Sequence, residues 1–217
     1  MLFLENYIDI NCTVIDKGDS MANKNHDLDE KIIQSAIQEF TIYGFKNASL
    51  RKIAANANVT IGAIYTRYKT KDDLFCSLLQ PLLTKIETAF QIIKKNYQDN
   101  VFKNFSFSIQ KEYEIILDLL FDEYSYAYLL LCKSQGSRLE HFFDDIIERK
   151  IKETKYFFEQ MHIHGINPFV LKWLITSQFQ LYFQIFKEGY DRAVAKSIIH
   201  DVMIYHQAGW EKLLQLS

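Results

Sequence analysis

Apolar residues recur at three- and four-residue spacing along most of this chain, and the runs are long with few interruptions. Leu28, Ile32, Ala36, Ile37 and Phe40 form one stripe, which predicts a helix over Leu28–Tyr43. Asp27 and Glu30 read as its capping box, and Gly44 as a left-handed stop. Ser49 then caps a short helix, Leu50–Ala57, whose inward residues are Leu50, Ile53 and Ala54. Asn58 sits where a tight turn needs positive φ, and Val59 fills that turn. Thr60 caps a third helix, Ile61–Tyr68. Thr70, with Asp73 in the reciprocal position, starts a fourth.

Beyond Leu74 the predicted helices lengthen. The fourth continues through Leu78, Leu82, Ile86, Phe90 and Ile93 to about Tyr97, with Pro81 expected to kink or break it. Gln98–Phe107 lacks a clear period and reads as a loop. A long helix over Ser108–Cys132 follows, then one over Arg138–His162 opened by a Ser137/Glu140 capping box. Pro168 at a first turn starts a helix that is apolar nearly all round and stops at Gly189; the last helix spans Arg192–Leu214. The pattern predicts an all-α chain of about nine helices. Residues 21–72 form a three-helix module of helix-turn-helix type, and residues 73–217 a helical body. Only 7 Gly and 2 Pro in 217 residues agree with long helices rather than many short strands.

Charge sharpens the picture of the module. The chain as a whole carries −2, but residues 21–71 hold eight basic against four acidic residues. Within Phe45–Leu74 six cations (Lys46, Arg51, Lys52, Arg67, Lys69 and Lys71) precede the first acid, Asp72. A one-signed block on short helices predicts a polyanionic partner, and the helix-turn-helix spacing predicts double-stranded DNA. For Lys46, Lys52 and Lys69 the alternative is plain solvation, and for Tyr65 core packing. The three cysteines, Cys12, Cys76 and Cys132, have no metal-ligand spacing and read as reduced thiols of a cytoplasmic protein. No apolar run approaches the ~20 residues a membrane span needs. Residues 1–20 lack a signal peptide's basic start and unbroken apolar centre. Two readings of them stand side by side: translation begins at Met21, or they form an apolar arm that docks elsewhere.

The order Gly44-Phe45, Ser49, Arg51, Ile53-Ala54, Ala57, Val59-Thr60, Gly62, Ile64-Tyr65, Tyr68, Thr70-Lys71-Asp72-Asp73-Leu74 resembles the DNA-binding region of TetR/AcrR-type transcriptional regulators. The resemblance covers about Leu28–Leu79. Asn58 stands where that family usually has Gly, and Ile61 where it is often polar. The resemblance implies phosphate contacts from Ser49, Tyr65, Arg67 and Lys71. It implies a groove-facing set of Arg51, Thr60, Ile61, Gly62, Ala63 and Thr66, with Arg51 the candidate for a bidentate guanine contact.

It also implies a homodimer, and the last two helices suit one, because the Pro168 helix is too apolar for a solvent face. A dimer predicts a palindromic operator. In such regulators the middle helices enclose a small-molecule site. The aromatics here suit a largely apolar effector, with Tyr113, Phe121, Tyr124, Trp173 and Tyr182 as candidate lining and ordinary core as the alternative for each. Repression is the expected mode; a TetR-like activator is the variant. The competing class is an all-α metal-binding enzyme. Its only candidate is His162-x-His164, whose rings fall on different faces of a helix; His26, His141, His200 and His206 are scattered. No H-E-x-x-H or glycine-rich phosphate loop occurs. No catalytic residue, metal or cofactor is expected.

Overall fold

The structure, a computed structural model, describes residues 22–100 and 105–214. Among these residues there are nine helices and no strand: α1 (Ala22–Asn47), α2 (Leu50–Asn56), α3 (Ile61–Arg67), α4 (Lys71–Asn100), α5 (Phe105–Asp122), α6 (Tyr124–Cys132), α7 (Phe142–Gln160), α8 (Pro168–Glu188) and α9 (Arg192–Leu214). The protein is therefore all-α. Both readings of residues 1–20 lie outside the described residues. No helix among the described residues is long and apolar enough to cross a membrane.

The chain packs as two compact units. Of the described residues, one unit takes those up to Pro81 together with Tyr128–Asp145, and the other those of Leu82–Ala127 and from Ile146 onward. The first unit closes on Ile32, Ala36, Phe40, Ile53, Ala54 and Ile64, with Leu74 and Phe75 from α4, all buried. Phe75 packs edge-on against Phe40 at 4.9 Å and tilted against Phe45 at 5.2 Å. This cluster explains why helices of only seven residues hold: tertiary packing, not propensity, stabilises them. Gly44 has φ 70° and ψ 164°, so the helical path of α1 ends there, where the sequence predicts a stop.

In the second unit α5, α8 and α9 supply Ile109, Tyr113, Leu117, Ile175, Phe179, Tyr182, Ala195, Ile199 and Met203 to the core. Glu112 is also inside, 2% exposed. It accepts from Lys150 Nζ (2.8 Å), Tyr97 Oη (2.8 Å) and Gln178 Nε2 (3.2 Å). A carboxylate stripped of water needs such partners, and here they come from α4, α7 and α8.

Several boundaries differ from the sequence reading. The helix α1 already runs from Ala22, so Asp27 lies inside it instead of capping it; the polar stretch before Leu28 has no apolar period to mark a start. The predicted loop at Gln98–Phe107 shrinks, because α4 extends to Asn100 and α5 begins at Phe105, with residues 101–104 outside the described set. Pro81 does not end α4; the boundary between the packed units falls there instead. The predicted helix Ser108–Cys132 is two, parted at Glu123. The predicted start at Arg138 moves to Phe142, because the Ser137 hydroxyl donates to Ser134 O and accepts from Leu139 N, closing a turn. At α8 the expected Pro168 start and Gly189 stop both hold, with Asn167 Oδ1 accepting from Phe169 N and Gly189 at φ 71°.

Candidate nucleic-acid interface

The geometry of α2 and α3 follows from short-range bonds. After α2, Asn58 takes φ 55°, and the amides of Asn58 and Val59 donate to Ala55 O (3.1 Å) and Ala54 O (2.9 Å). Those bonds close the helix end and turn the chain. Thr60 then caps α3 through Oγ1, which accepts from Ala63 N at 3.1 Å. Ser35 on α1 anchors α2 by donating to Ile53 O at 2.9 Å. Ser49 holds the N-cap position of α2, but its side chain makes no capping bond. Its backbone N–H instead donates to Glu39 Oε1 at 3.0 Å, and Glu39 is buried. A carboxylate from α1 thus ties down the start of α2.

The outward face carries most of the expected groove-facing set. Arg51, Thr60, Gly62 and Thr66 are exposed, Ile61 and Ala63 half-buried, and Tyr65 is 54% exposed. That exposure is incompatible with Tyr65 as a core residue of this unit. Thr66 turns its hydroxyl inward along the helix, donating to Gly62 O at 2.9 Å.

Two of the expected phosphate contacts are held within the protein. Arg67 Nε pairs with Asp29 of α1, and Nη1 donates to Ala63 O at 3.2 Å. The guanidinium is therefore a tie between α3 and α1, not a group held out to solvent. Lys71 Nζ donates to Lys46 O (3.2 Å) and Ala48 O (3.1 Å) and lies 4.6 Å from the Phe45 ring centre. Burial lowers its pKa, and Asp72 opposes part of that shift. The ammonium neutralises carbonyls at the end of α1. Lys52 also spends its charge locally, 4.6 Å from the Tyr43 ring.

Residues that sequence reading missed complete the site. Asp29 lies 38 positions from Arg67, a separation no local pattern signals. At the start of α4, Thr70 and Asp73 form the predicted reciprocal box, with both bonds at 3.0 Å. Arg138 adds a clasp: its backbone N–H faces both Asp72 oxygens at 3.2 Å and its Nη2 donates to Asp73 Oδ1 at 2.6 Å. Against the burial that would raise it, Thr70 and Arg138 hold the Asp73 carboxyl below its ordinary range. Phe45 N donates to Lys133 O at 2.8 Å in the same region.

The five aromatic candidates of the body fall into three places. Tyr113 and Tyr182 are buried neighbours, and Tyr113 Oη is hydrogen-bonded to His206 Nδ1. Burial raises the pKa of both phenols, and the nearby Glu112 charge raises both further. The Tyr182 hydroxyl is buried with no partner. Phe121 and Tyr124 stack around Phe186 at 5.3 and 5.1 Å. Trp173 stands apart from both groups, 71% exposed on the outer side of α8, because it lies half a turn from the inward Leu171 and Ile175. Among the described residues, no three His, Cys, Asp or Glu gather as a metal site.

Residues 32–78 match the family model described as bacterial regulatory proteins, tetR family. An uncharacterized HTH-type transcriptional regulator of Bacillus subtilis (strain 168), YhgD, is 36% identical over 56 residues, which are 26% of this chain and only 29% of that protein. Similar solved structures cover far more. A TetR-like transcriptional regulator from Rhodococcus sp. RHA1 superposes with a TM-score of 0.58 at 14% identity, over 84% of this chain and 96% of its own. NalD, the secondary repressor of the MexAB-OprM multidrug efflux pump in Pseudomonas aeruginosa, gives 0.54 at 15% identity, over 83% and 96%. The fatty acid degradation regulator FadR from Bacillus halodurans gives 0.52 at 16% identity, over 86% and 96%. At such identities the likeness establishes the shared fold.

Proposed function

This chain belongs to the TetR family of bacterial regulatory proteins, and from that premise we propose that it is a homodimeric repressor, released from a palindromic operator by a small, largely apolar effector. The observation that carries the proposal is the exposed face of α2 and α3, where Arg51, Gly62 and Tyr65 stand outward on a fixed, cation-rich frame. Arg51 pairs with guanine, while Tyr65 and the backbone around Ser49 meet phosphates and set register. Arg67 and Lys71 act chiefly by holding that frame. The protein works in the cytoplasm, where its operator is, and the proposal includes no catalytic step, metal or cofactor.

Dimerisation is supported by apolar side chains that the protomer leaves in water. On α8 these are Phe169 and Trp173; on α9 they are Val194, Tyr205 (75% exposed) and Leu213. Pairing two such helix faces with their copies removes this surface from water. The aromatic groups around Tyr182 and Phe186 support an apolar effector, and one fold relative is named for fatty acid degradation and another for a multidrug efflux pump. Ligand acts by population shift, limited to its differential affinity for the two conformers.

Selection of bound sequences from a random DNA pool tests the reading: a palindrome with half-sites about one helical turn apart is expected. Arg51→Ala is expected to cost about 10- to 100-fold in affinity and to relax specificity at one position, whereas Tyr65→Ala weakens all sequences alike. Failure to enrich any sequence at low salt overturns the proposal. Sedimentation should give a dimer, and Trp173→Glu with Tyr205→Glu a monomer.

A further inference from the structure

We propose that the bases facing α3 in each operator half-site are thymines read through their methyl groups, and that hydrogen-bonded readout falls to α2; this rests on the operator-binding reading above. The two helices differ in the hydrogen-bonding side chains they carry as folded. From Thr60 to Thr66 the chain offers no Arg, Lys, Asn, Gln, Asp or Glu. The hydroxyls at the ends of this stretch each already make one bond within the helix: Thr60 Oγ1 accepts from Ala63 N, and Thr66 Oγ1 donates to Gly62 O. The cation that follows, Arg67, is held by Asp29 and Ala63. On α3 Gly62, Tyr65 and Thr66 are exposed and Ile61 and Ala63 half-buried; apart from the Tyr65 hydroxyl, which meets phosphate in the reading above, and the two engaged threonines, the side chains there are hydrocarbon. The outward hydrogen-bonding side chains Arg51 and Asn56 both lie on α2.

In the major groove, guanine, adenine and cytosine edges present donors and acceptors, and facing them with methyl groups strips water from those atoms without replacement. Thymine alone offers a methyl group there. An apolar reading helix therefore discriminates for thymine, both by burying methyl against methyl and by penalising the other bases. Gly62 allows the approach this contact needs. A Cβ built on it meets only Thr60 Oγ1, at 3.7 Å, so nothing inside the protein requires glycine there. In a helix, Gly is less favourable than Ala. The absence of a side chain therefore leaves room outside the protein, on the face turned to the base edges.

The test uses the full chain and the operator enriched from the random pool. Each thymine of the half-site core is replaced by uracil, which removes the methyl group and leaves every hydrogen-bonding atom in place. Loss of about fourfold in affinity is expected for one methyl, and about sixteenfold for its symmetric pair. Ile61→Ala should abolish most of that difference while binding the uracil operator as the parent does. Gly62→Ala should leave the melting temperature equal or higher, yet weaken operator binding at least tenfold. Uracil operators bound as tightly as thymine operators, or a selected core of G·C pairs opposite α3, overturn the inference and leave the DNA-binding reading intact. A pool that yields no enriched sequence overturns both.

Discussion

Glu112 provides a quantitative test of how the second unit is held. Its carboxylate is 2% exposed and receives three donors, of which one is the ammonium of Lys150, itself only 14% exposed. Glu112→Gln removes the charge while preserving the shape, so Lys150 is left as a cation among Tyr97, Gln178 and apolar neighbours. Breaking a buried pair in this one-sided way costs about 3–5 kcal/mol. Lys150 keeps some contact with water, which sets the expectation near the lower end, about 3 kcal/mol. For a chain of this size that is a fall in Tm of about 6–12 °C. Both tryptophans, Trp173 and Trp210, lie in the second unit, and Trp210 packs on Phe158 at 6.2 Å. Their emission during thermal and urea unfolding therefore reports this unit alone. Lys150→Met should cost a similar amount by stranding the carboxylate. The double variant Glu112→Gln/Lys150→Met should recover at least half of the summed loss, because neither charge is then stranded. A Glu112→Gln cost below about 1 kcal/mol, or a double variant as unstable as the sum of the singles, would refute the reasoning.

Other outcomes are equally definite. Arg67→Ala and Asp29→Ala should each lower the stability of the first unit by about 1 kcal/mol and weaken operator binding together, with the double variant no worse than either; if Arg67→Ala alone lost affinity, the guanidinium would be a phosphate contact after all. Gly44→Ala forces a side chain into φ 70°, ψ 164°, and should cost about 1–3 kcal/mol in urea unfolding. Lys71→Met deletes two bonds to the Lys46 and Ala48 carbonyls, with an expected loss of about 1 kcal/mol by the same measurement. Burial holds the pKa of His206 below its ordinary value, so on acidification the unfolded chain takes up its proton first. The stability from neutral His206 is therefore present above about pH 6.5 and lost as pH falls toward the folded value. His206→Phe should flatten the fall in stability that sets in below about pH 6.5, read by tryptophan emission.

Most of the helical architecture is legible in the order of residues. The caps at Thr60, Thr70 and Asn167, the left-handed stops at Gly44 and Gly189, and the turn at Asn58 all appear where local chemistry puts them. The apolar stripe says which face of α1 turns inward, because helix period and burial act over the same few residues; on α8 and α9 apolar residues lie on outer faces as well, and only the structure separates the two sides. Legibility fails where a bond spans the chain. Ser49 reads as a cap from its neighbours, yet its side chain makes no capping bond, and its own backbone N–H is instead held by Glu39 on the preceding helix. It also fails where two local motifs compete: Ser137 and Glu140 read as a helix start, yet bonds of Ser137 to Ser134 and Leu139, three and two residues away, close a turn instead. The long Ser108–Cys132 stripe hides a break at Glu123, whose carboxylate pairs with Lys85 of α4.

The sequence by itself determined the helices of the reading module, its one-signed charge and the order of residues by which it resembles its family, since each depends on side chains a few positions apart. Only the tertiary structure decided which of the module's cations face outward. Arg51, Arg67 and Lys71 are equivalent as charges in a row of letters. Asp29 and the carbonyls of Lys46 and Ala48 separate them, by placing partners within reach of two and leaving Arg51 in water. A charge takes its role from what solvates it, and that is set by residues that meet only when the chain has folded.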